Sequence, residues 1–450
     1  MATGIPGTSR KNKALNGSNG MSFRLEYEGK SSIEDIKATK PALLQRAVKV
    51  PGSPTNKLIY GDNLRVLRTL LDDANIAGKV SLVYIDPPYA TGANFASRNL
   101  DHAYNDFLEG AEYLEYIRCR LILMRELLAE DGSIYVHLDE NMAFPVKILM
   151  DEIFGIKNFR NWITRKKCNP KNYTRRQYGN VSDYILFYSK TEKYIWNQPF
   201  ESWTEVTANK EYEYVEKETG RRYKKVPIHA PGVRNGATGQ KWRGMMPPPG
   251  KHWQYTPATL DLMDARGEIY WSSTGNPRRK VYLDNSKGIP IQDIWLDFKD
   301  AHNQNIKITG YPTEKNPELL KRMIIASSNP GDLVLDAFAG SGTTAAVAES
   351  LGRQWIAIDN ARLALETMVW RLAKGTEPMG DFLKGNDDKP KQIPLFDKNR
   401  VLKSGLNVYI ESAIDLEIIP DFLLEKWDSL LNSPTIPWLI ESQASSGYTP

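Results

Sequence analysis

Asp336-Ala-Phe-Ala-Gly-Ser-Gly-Thr-Thr344 follows a short apolar run and precedes an alanine-rich segment. This order predicts a strand, a tight turn and a helix, and Gly340 and Gly342 let the turn approach a ligand closely. Asp359 ends the next apolar run, 17 residues after Gly342, where an acid can bind ribose hydroxyls. The alternative is that the glycine-rich turn has only a structural role and binds no ligand. Because Ala345 replaces the third glycine of the dinucleotide fingerprint, the stretch predicts a nucleotide-like ligand other than NAD.

A second motif, Ile85-Asp-Pro-Pro-Tyr89, comes directly after another apolar run that predicts a strand. Its two prolines fix the backbone and carry no N–H, so the neighbouring carbonyl groups are held rigidly. An acid, a carbonyl and an aromatic ring then lie at the carboxyl end of a strand, where open α/β sheets bind ligands. These acceptors suit an amine that donates hydrogen bonds, and the ring suits a planar base. A simple Asp-Pro-Pro turn is the alternative.

Both motifs lie in regions where short apolar runs alternate with helical patterns. The first region predicts strand 57–60, helix 64–71, strand 80–85, helix 111–128 and strand 133–138. The second predicts helix 316–327, strand 332–335, helix 343–350, strand 355–358 and helix 362–373. Such alternation predicts an α/β fold with a parallel sheet covered on both faces. The Pro- and Gly-rich chain between the regions predicts loops and short strands.

Length and composition restrict the class of protein further. A chain of 450 residues suggests two or three domains, and 41% hydrophobic with 25% charged residues excludes collagen-like, coiled-coil and wholly disordered chains. No apolar run approaches the roughly 18 residues of a membrane span, so no membrane partner is expected. Cys119 and Cys168 provide neither a disulfide framework nor a zinc-binding pair, which predicts a cytoplasmic protein without a bound metal.

The centre of the chain is basic. Residues 160–251 contain 19 Lys and Arg against 8 Asp and Glu, together with 14 aromatic residues. Interleaved cations and rings suit phosphate contacts and base stacking, which predicts a nucleic-acid-binding region. A solvated basic face over an ordinary aromatic core is the alternative.

The Asp-Pro-Pro-Tyr motif after a strand, with Phe338-x-Gly340-x-Gly342 far downstream, closely resembles the amino-group DNA methyltransferases, and the motif order resembles their β class. Further segments resemble the adenine-N6 modification subunits of type III restriction systems. They are residues 86–92 followed by 104–106, then 132–139, 183–190, and 311–315 with Pro317. The resemblance covers roughly residues 57–374, although the chain is shorter than typical type III subunits.

The resemblance implies a Rossmann-like methyltransferase sheet that is circularly permuted, with the catalytic half first and the S-adenosylmethionine-binding half second. The implied activity is site-specific methylation of the N6 amine of an adenine flipped out of duplex DNA. The implied boundaries are a flexible tail at 1–40, the catalytic half at 41–190, an inserted target recognition region at 191–300, the cofactor half at 301–378 and an accessory region at 379–450. Besides DNA, a second copy of the chain and a separate restriction subunit are open as partners.

The predicted site residues fall into three groups. The catalytic group is Asp86, Pro87, Pro88 and Tyr89. The group expected to hold S-adenosylmethionine is Asp336, Phe338, Ala339, Gly340, Gly342, Thr343, Asp359, Asn360 and Asp62, with Thr313 and Lys315 near its methionine end. The group expected on DNA phosphates is Lys166, Lys167, Arg175 and Arg176, with base-specific contacts from residues 191–290. Asp62 has a helix N-cap as its alternative role. His137 is expected to have a core or hydrogen-bonding role, with catalysis as the alternative.

Other activities stay open from the sequence. A cytosine-N4 methyltransferase would use the same arrangement, and a non-catalytic DNA-binding module would explain the basic centre but not the glycine loop. A dehydrogenase is the weakest alternative. A cytosine-C5 methyltransferase is excluded, because it needs a nucleophilic cysteine that ordinarily follows a proline, whereas Cys119 follows Arg118 and Cys168 follows Lys167.

Overall fold

The computed structural model describes residues 24–50, 52–88, 110–169, 176–300, 311, 314–374 and 404–412, and the short strands Asn94–Ala96, His102–Asn105, Lys307–Ile308 and Glu377–Pro378. The chain forms two compact units. The smaller unit runs from Gln198 to Ile291, and the larger unit contains the described residues on either side of it. Across the described ranges, no helix is both long and apolar enough to cross a membrane.

The larger unit is built on a sheet of ten described strands. In chain order they are β1 (Leu44–Val50), β2 (Thr55–Tyr60), β3 (Val80–Ile85), β4 (Leu128–Leu138), β5 (Phe159–Lys166), β6 (Ser182–Ser189), β7 (Ile294–Trp295), β8 (Leu333–Asp336), β9 (Gln354–Asp359) and β10 (Gly405–Glu411). Their order across the sheet is β1-β10-β2-β9-β8-β3-β4-β6-β5-β7. The central strands from β10 to β4 are parallel, whereas β1 and β6 pair antiparallel with their neighbours.

Seven described helices belong to this unit: α1 (Ile33–Lys37), α2 (Asn63–Leu70), α3 (Gly110–Leu127), α4 (Ala143–Phe154), α5 (Pro317–Ser327), α6 (Thr343–Ser350) and α7 (Arg362–Lys374). Their ends follow local chemistry. Asn316 caps α5 by accepting from the N–H of Glu318, and Pro317 occupies the first turn, where its missing N–H costs nothing. Each element predicted in the two α/β regions forms, with ends that differ by a few residues.

The strand order changes direction between β3 and β8. From β3 the chain continues through α3 to β4 on one side, and from β8 it continues through α6 to β9 on the other. A ligand-binding crevice is expected at such a switch point, outside the carboxyl ends of the two strands. The strand that leads into Asp-Pro-Pro precedes the strand that leads into the glycine loop, so the predicted α/β fold and the order of its halves are confirmed.

The two ends of the chain differ from the sequence prediction. The flexible tail predicted for 1–40 is too long, because Ser32 caps α1 and Ile36 packs into the core. The predicted accessory region, 379–450, contains β10, which lies inside the large sheet between β1 and β2. A short helix or strand near a chain end is stabilised by residues that are distant in the sequence. The local periodicity of the sequence therefore did not predict α1 or β10.

The smaller unit contains a four-stranded antiparallel sheet, in the order Tyr214–Val215, Arg222–Pro227, Pro277–Tyr282 and Ile269–Trp271. Short pairs join His229–Pro231 to Lys251–Trp253 and Phe200–Glu201 to Ile289–Pro290. Its two described α-helices are Glu205–Glu211 and Pro257–Ala265. Trp242 and Trp253 are buried in its core, so part of the aromatic content of the basic centre serves packing.

Candidate active site

The two sequence motifs end at the same edge of the sheet. Asp86 follows the last residue of β3, and Asp336 is the last residue of β8. Because these strands are parallel neighbours, with Val83 opposite Leu335, their carboxyl ends lie side by side. A cavity opens there, lined by these predicted residues: Asp86, Pro87, Pro88, Lys315, Asp336, Phe338, Ala339, Gly340, Thr343, Asp359 and Asn360. The structure thus brings most of the predicted catalytic and cofactor residues to one cavity.

Two predicted cofactor residues, Asp62 and Gly342, are not part of the cavity lining. Asp62 is the N-cap of α2, and its carboxylate accepts a hydrogen bond from the N–H of Arg65 (3.0 Å). The N-cap role left open for Asp62 is therefore the one observed. Its neighbour Asn63 lines the cavity and donates to the carbonyl of Ala337 (2.8 Å). Tyr89, Thr313 and Arg175 lie outside the described residues.

The acid that ends β9 holds the glycine loop. Asp359 accepts hydrogen bonds from the N–H groups of Gly340 (2.8 Å) and Ala361 (2.9 Å), one on each carboxylate oxygen. Burial raises the pKa of Asp359, although the N–H donors counteract it. Each oxygen can accept a further hydrogen bond, so this carboxylate can hold the loop and still accept from ribose hydroxyls in the cavity.

The two loop glycines have different neighbours. Both have positive φ, +48° at Gly340 and +71° at Gly342, where other L-residues are strained. A Cβ at Gly342 would lie 2.5 Å from Cγ of Met368 in α7, whereas a Cβ at Gly340 would lie 3.3 Å from the ring of Tyr311 at the cavity. Gly340 is therefore the residue at which the backbone approaches the cavity, and Gly342 allows close packing against α7.

Asp336 is buried at the start of the loop. Its carboxylate accepts from the hydroxyl of Thr344 (2.5 Å) and the N–H of Phe338 (3.0 Å). Burial is the main cause that raises the pKa of Asp336 to about 7; these hydrogen bonds oppose it, and the charges of Asp86 and Asp359 add to it. Asp336 therefore changes its charge near neutral pH, which is unusual for a carboxyl group.

Asp86 lies among charged and polar groups that come from other elements. Nζ of Lys315 is 2.8 Å from Asp86 Oδ2, and Nδ1 of His137 is 3.9 Å from Asp86 Oδ1. The hydroxyl of Tyr84 is 3.0 Å from the same His137 nitrogen. Lys315 is predicted near the methionine end of the cofactor, and the structure pairs it with Asp86, the acid of the predicted catalytic group. The expectation that His137 lies in the interior is met, since its side chain is buried.

Helix α3 contributes an aromatic wall that the sequence did not reveal. Tyr116 lines the cavity, and its ring meets Phe338 edge to face, with 6.1 Å between the ring centroids. The guanidinium of Arg120 lies over the ring of Tyr116, 3.5 Å from its centroid, and donates to Asn63. Two rings and a stacked cation form a rigid apolar surface suited to a planar base. In the sequence, Tyr116 cannot be distinguished from the other core residues of an amphipathic helix.

A buried ion pair ties the segment that contains Lys315 to the glycine loop. Glu314 and Arg371 pair with each other, and both side chains are 1% exposed. Arg371 also donates to the carbonyl of Ser341 (2.9 Å) and to the hydroxyl of Thr343 (2.6 Å). The pair therefore fixes the two residues that flank Gly342. The resemblance pointed to the 311–315 segment, but no sequence signal pointed to Arg371.

The residues predicted to contact DNA phosphates lie at and after the end of β5. Lys166 is the last residue of this strand, and Nζ of Lys167 is 3.9 Å from Glu140. Arg176 is exposed. Lys166 and Lys167 are half-buried. The role of this group in DNA binding stays a prediction.

Comparison with known proteins agrees with this geometry. Residues 80–369 match the family described as DNA methylase (N6_N4_Mtase). The type II methyltransferase M.EcaI of Enterobacter cloacae is 50% identical over 360 residues, which cover 79% of this chain and 78% of that protein. The StyLTI Mod subunit, from a type III restriction-modification enzyme of Salmonella typhimurium, is 30% identical over 338 residues, covering 66% of this chain and 50% of that protein. The crystal structure of the M1.HpyAVI–SAM complex is 16% identical, with a TM-score of 0.39, covering 70% of this chain and 98% of that chain.

The fold and the cavity define an α/β enzyme in which an Asp-Pro-Pro turn and a glycine loop face one ligand site. The chain belongs to the DNA methylase family, with residues 80–369 covering both motifs. It is a DNA methyltransferase, and the predicted resemblance is confirmed. Family membership rules out the dehydrogenase and the non-catalytic DNA-binding module as readings of the sequence.

Proposed function

We propose that the protein transfers the methyl group of S-adenosylmethionine to the N6 amine of an adenine flipped out of duplex DNA. The observation that carries this proposal is the common cavity of Asp86 with Pro87 and Pro88 on one side and Asp336, Gly340 and Asp359 on the other. The carboxylate of Asp86 and the carbonyls next to the two prolines suit an amine that must be held and oriented. Asp336, Gly340 and Asp359 suit a cationic nucleoside. A site for both substrates at adjacent strand ends is what direct group transfer requires.

The residues of the cavity fit S-adenosylmethionine by their chemistry. Asp336 offers a buried carboxylate and Asp359 a half-buried one to a ligand that carries ammonium, sulfonium and ribose hydroxyl groups. Phe338 and Tyr116 offer ring surfaces to its adenine, and Gly340 leaves room where a Cβ would project toward the cavity. When bound, this cofactor supplies an electrophilic methyl group. The roles of Ala339, Thr343 and Asn360, which line the same cavity, stay predictions.

The chain's own groups act on the target amine. An exocyclic amine is a weak nucleophile because its lone pair is delocalised into the ring. Asp86 accepts one N–H and the carbonyl next to Pro87 accepts the other, which directs the nitrogen lone pair toward the methyl group. Lys315, 2.8 Å from Asp86, holds the carboxylate in place. Pro87 and Pro88 carry no N–H, so they leave the neighbouring carbonyls available. Tyr89 is proposed to stack on the extruded base.

Analysis of the methylated base tests this proposal and separates adenine from cytosine-N4 chemistry. Unmethylated duplex DNA is incubated with the protein and S-adenosylmethionine, digested to nucleosides and resolved by mass spectrometry. We expect N6-methyladenine, and sequencing of the same DNA should place it within one recognition site. N4-methylcytosine as the product, or no methylated base at any pH between 6 and 8.5, would contradict the proposed function.

A pair of glycine variants tests the cofactor site. Gly340→Val should abolish S-adenosylmethionine binding in calorimetric titration, because the side chain of the introduced valine would project toward the cavity. Gly342→Ala should mainly lower the free energy of unfolding, by about 1–3 kcal/mol, because of its positive φ and the contact with Met368. The expectation that Gly342 itself approaches the ligand is corrected by this geometry. Tight cofactor binding by Gly340→Val would show that the loop is only structural.

Asp336 should make cofactor binding depend on pH. With a pKa of about 7, Asp336 is roughly one tenth ionised at pH 6 and nine tenths at pH 8, so the affinity for the cationic cofactor should be about tenfold weaker at pH 6. The same ionisation should lower the stability of the free protein as pH rises from about 4 to 7, because the folded state then retains a proton that the unfolded state has lost. Asp336→Asn is the control, and it should bind cofactor weakly without this pH dependence.

We propose that the smaller unit, Gln198–Ile291, selects the DNA site. Its 15 Lys and Arg exceed its 10 Asp and Glu, although several pair internally, as Lys280 does with Glu216 at 2.6 Å. A compact unit inserted between the halves of the larger unit can vary without changing the catalytic cavity. Exchange of 198–291 for the corresponding unit of a relative should change which site is methylated. An active chimera that methylates the original site would contradict this role.

We propose that four basic side chains contact DNA phosphates, namely those of Lys166, Lys167, Arg175 and Arg176. Their neutralisation should weaken binding to all DNA sequences alike.

A second copy of the chain and a restriction subunit are proposed partners. A cytoplasmic location, predicted from the cysteine content, belongs to the same proposal. Size-exclusion chromatography with light scattering, at several protein concentrations, measures the oligomeric state directly.

A further inference from the structure

The four-stranded sheet of the smaller unit has two faces of different chemistry. Ile269 and Trp271 point to one face and pack against the buried core around Trp242 and Trp253. Residues that pair directly across antiparallel strands share a face, and neighbours along a strand alternate between the faces. The pairing therefore brings four tyrosines and three cations together on the opposite face, called here the tyrosine–cation face: Tyr214, Tyr223, Tyr270, Tyr282, Lys225, Arg278 and Lys280.

The rings of the tyrosine–cation face lie among cations. The guanidinium of Arg221 is 3.8 Å from the ring centroid of Tyr282, and the ammonium of Lys280 is 5.4 Å from that of Tyr223. An ordinary solvated face would hold its cations in water and its rings in the core. Rings and cations that share one surface instead suit a nucleic acid, whose phosphates are anionic.

The cations of this face differ in their partners. Lys280 pairs with Glu216 at 2.6 Å, and the hydroxyl of Tyr282 donates to the same carboxylate (2.7 Å). Within the part of the chain that the structure describes, neither Lys225 nor Arg278 forms an ion pair. Their positive charges are therefore available to an anion from outside the chain.

Lys225 is held in place by rings. Its ammonium lies 3.5 Å from the ring centroid of Tyr214 and 3.6 Å from that of Tyr270. Cation–π contacts attract the ammonium without neutralising its charge. Because the two rings restrict a side chain that is otherwise flexible, Lys225 loses less conformational entropy when it meets an anion.

A cleft opens beside Lys225. Four residues of the tyrosine–cation face line it, namely Tyr214, Lys225, Tyr270 and Arg278. Two acids also line the cleft: Glu211 is paired with Lys224 at 2.6 Å, and Glu213 is exposed to solvent. Ammonium, guanidinium and tyrosine hydroxyl groups are donors that bind phosphate oxygens in protein–DNA complexes. The cleft therefore suits a phosphate group.

We propose that the tyrosine–cation face contacts the phosphate backbone of duplex DNA, with Lys225 and Arg278 as the contacting cations. Lys225 pairs with Lys280 in the sheet, so Arg278 is its diagonal neighbour, about 7–8 Å away, and both long side chains reach the same stretch of backbone. Phosphate contacts fix the position of a protein on the duplex but carry no sequence information. This inference rests on the proposed function, which makes DNA the substrate, and it names the surface of the smaller unit that holds it.

The salt dependence of DNA binding tests the proposal. The double variant Lys225→Gln with Arg278→Gln should bind unmethylated duplex DNA about tenfold more weakly than the unmodified protein. It should also lower the slope of log affinity against log salt by roughly 2, since each phosphate contact contributes about 0.9. Both changes should be equal for duplexes with and without the recognition site. Fluorescence anisotropy at several salt concentrations measures affinity and slope.

Lys210→Gln with Lys241→Gln is the matched control, because it removes two positive charges from the same unit. Both lysines are exposed; Lys210 lies in the helix Glu205–Glu211, and Lys241 is next to the core residue Trp242. The control should change the salt slope by less than about 0.5. Cofactor binding in calorimetric titration should be unchanged in both double variants. An equal loss of DNA affinity in both would show that only net charge matters and would overturn the proposal.

A measurement on the unmodified protein does not depend on how the variants fold. Acetylation of lysine amines by acetic anhydride, read by mass spectrometry, should slow at Lys225 when duplex DNA is bound and stay unchanged at Lys210 and Lys241. Unchanged acetylation of Lys225, or an unchanged salt slope in its double variant, would contradict the assignment of this face to DNA. DNA that binds through this face but receives no methyl group on adenine would contradict the proposed function instead.

Discussion

Asp86→Ala should lower the single-turnover rate of methyl transfer by at least about a hundredfold, the scale for loss of one preorganised polar group in an active site. Cofactor binding should change little, because the carboxylates predicted to hold the cofactor are those of Asp336 and Asp359 at the neighbouring strand ends. Transfer of a labelled methyl group to duplex DNA measures the rate, and calorimetric titration measures the cofactor dissociation constant.

Asp86→Asn is the matched variant, since it keeps the shape and one acceptor oxygen but removes the negative charge that pairs with Lys315. Its rate should fall between those of Asp86→Ala and the unmodified protein. Activity of Asp86→Ala within a few-fold of the unmodified protein would mean that another group holds the amine. Loss of cofactor binding in both variants would instead place Asp86 in the cofactor site.

The sequence predicted the site best where a residue with a functional side chain lies at the end of a predicted strand. Asp86 and Asp336 each follow or end an apolar run, and parallel strands bring their carboxyl ends to one edge, so their meeting at a cavity followed from the pattern. The glycines at 340 and 342 were both expected to approach the ligand. Only the three-dimensional packing of α7 shows that Gly342 faces Met368 and Gly340 faces the cavity.

Contacts between distant residues could not be predicted in the same way. His137 and Asp183 come from neighbouring antiparallel strands, and the pairing of β4 with β6 determines that they meet. Glu314 and Arg371 meet because α7 packs against the glycine loop. The local sequence around Arg371 is that of an ordinary helix. A charged residue at a helical position is far more often exposed than buried, so periodicity gave no reason to select it.

Arg371→Met should destabilise the protein by about 3–5 kcal/mol, the usual effect of removing one partner of a buried ion pair. Glu314 would lose the guanidinium that neutralises it, and both side chains are almost fully buried. The carbonyl of Ser341 and the hydroxyl of Thr343 would also lose a donor, which should loosen the glycine loop. Chemical denaturation measures the free energy of unfolding, and calorimetric titration should show weakened cofactor binding at a temperature where the variant is folded.

The double variant Glu314→Gln with Arg371→Met separates charge from shape. Removing both charges avoids a buried carboxylate without its cation, so the double variant should be more stable than Arg371→Met alone. Cofactor binding should stay weak in the double variant, because neither methionine nor glutamine replaces the hydrogen bonds of Arg371 to Ser341 and Thr343. If stability and cofactor affinity both return, the pair matters only for charge balance. If Arg371→Met is as stable as the unmodified protein, the ion pair does not support the loop, and the link between the 311–315 segment and the cofactor site is wrong.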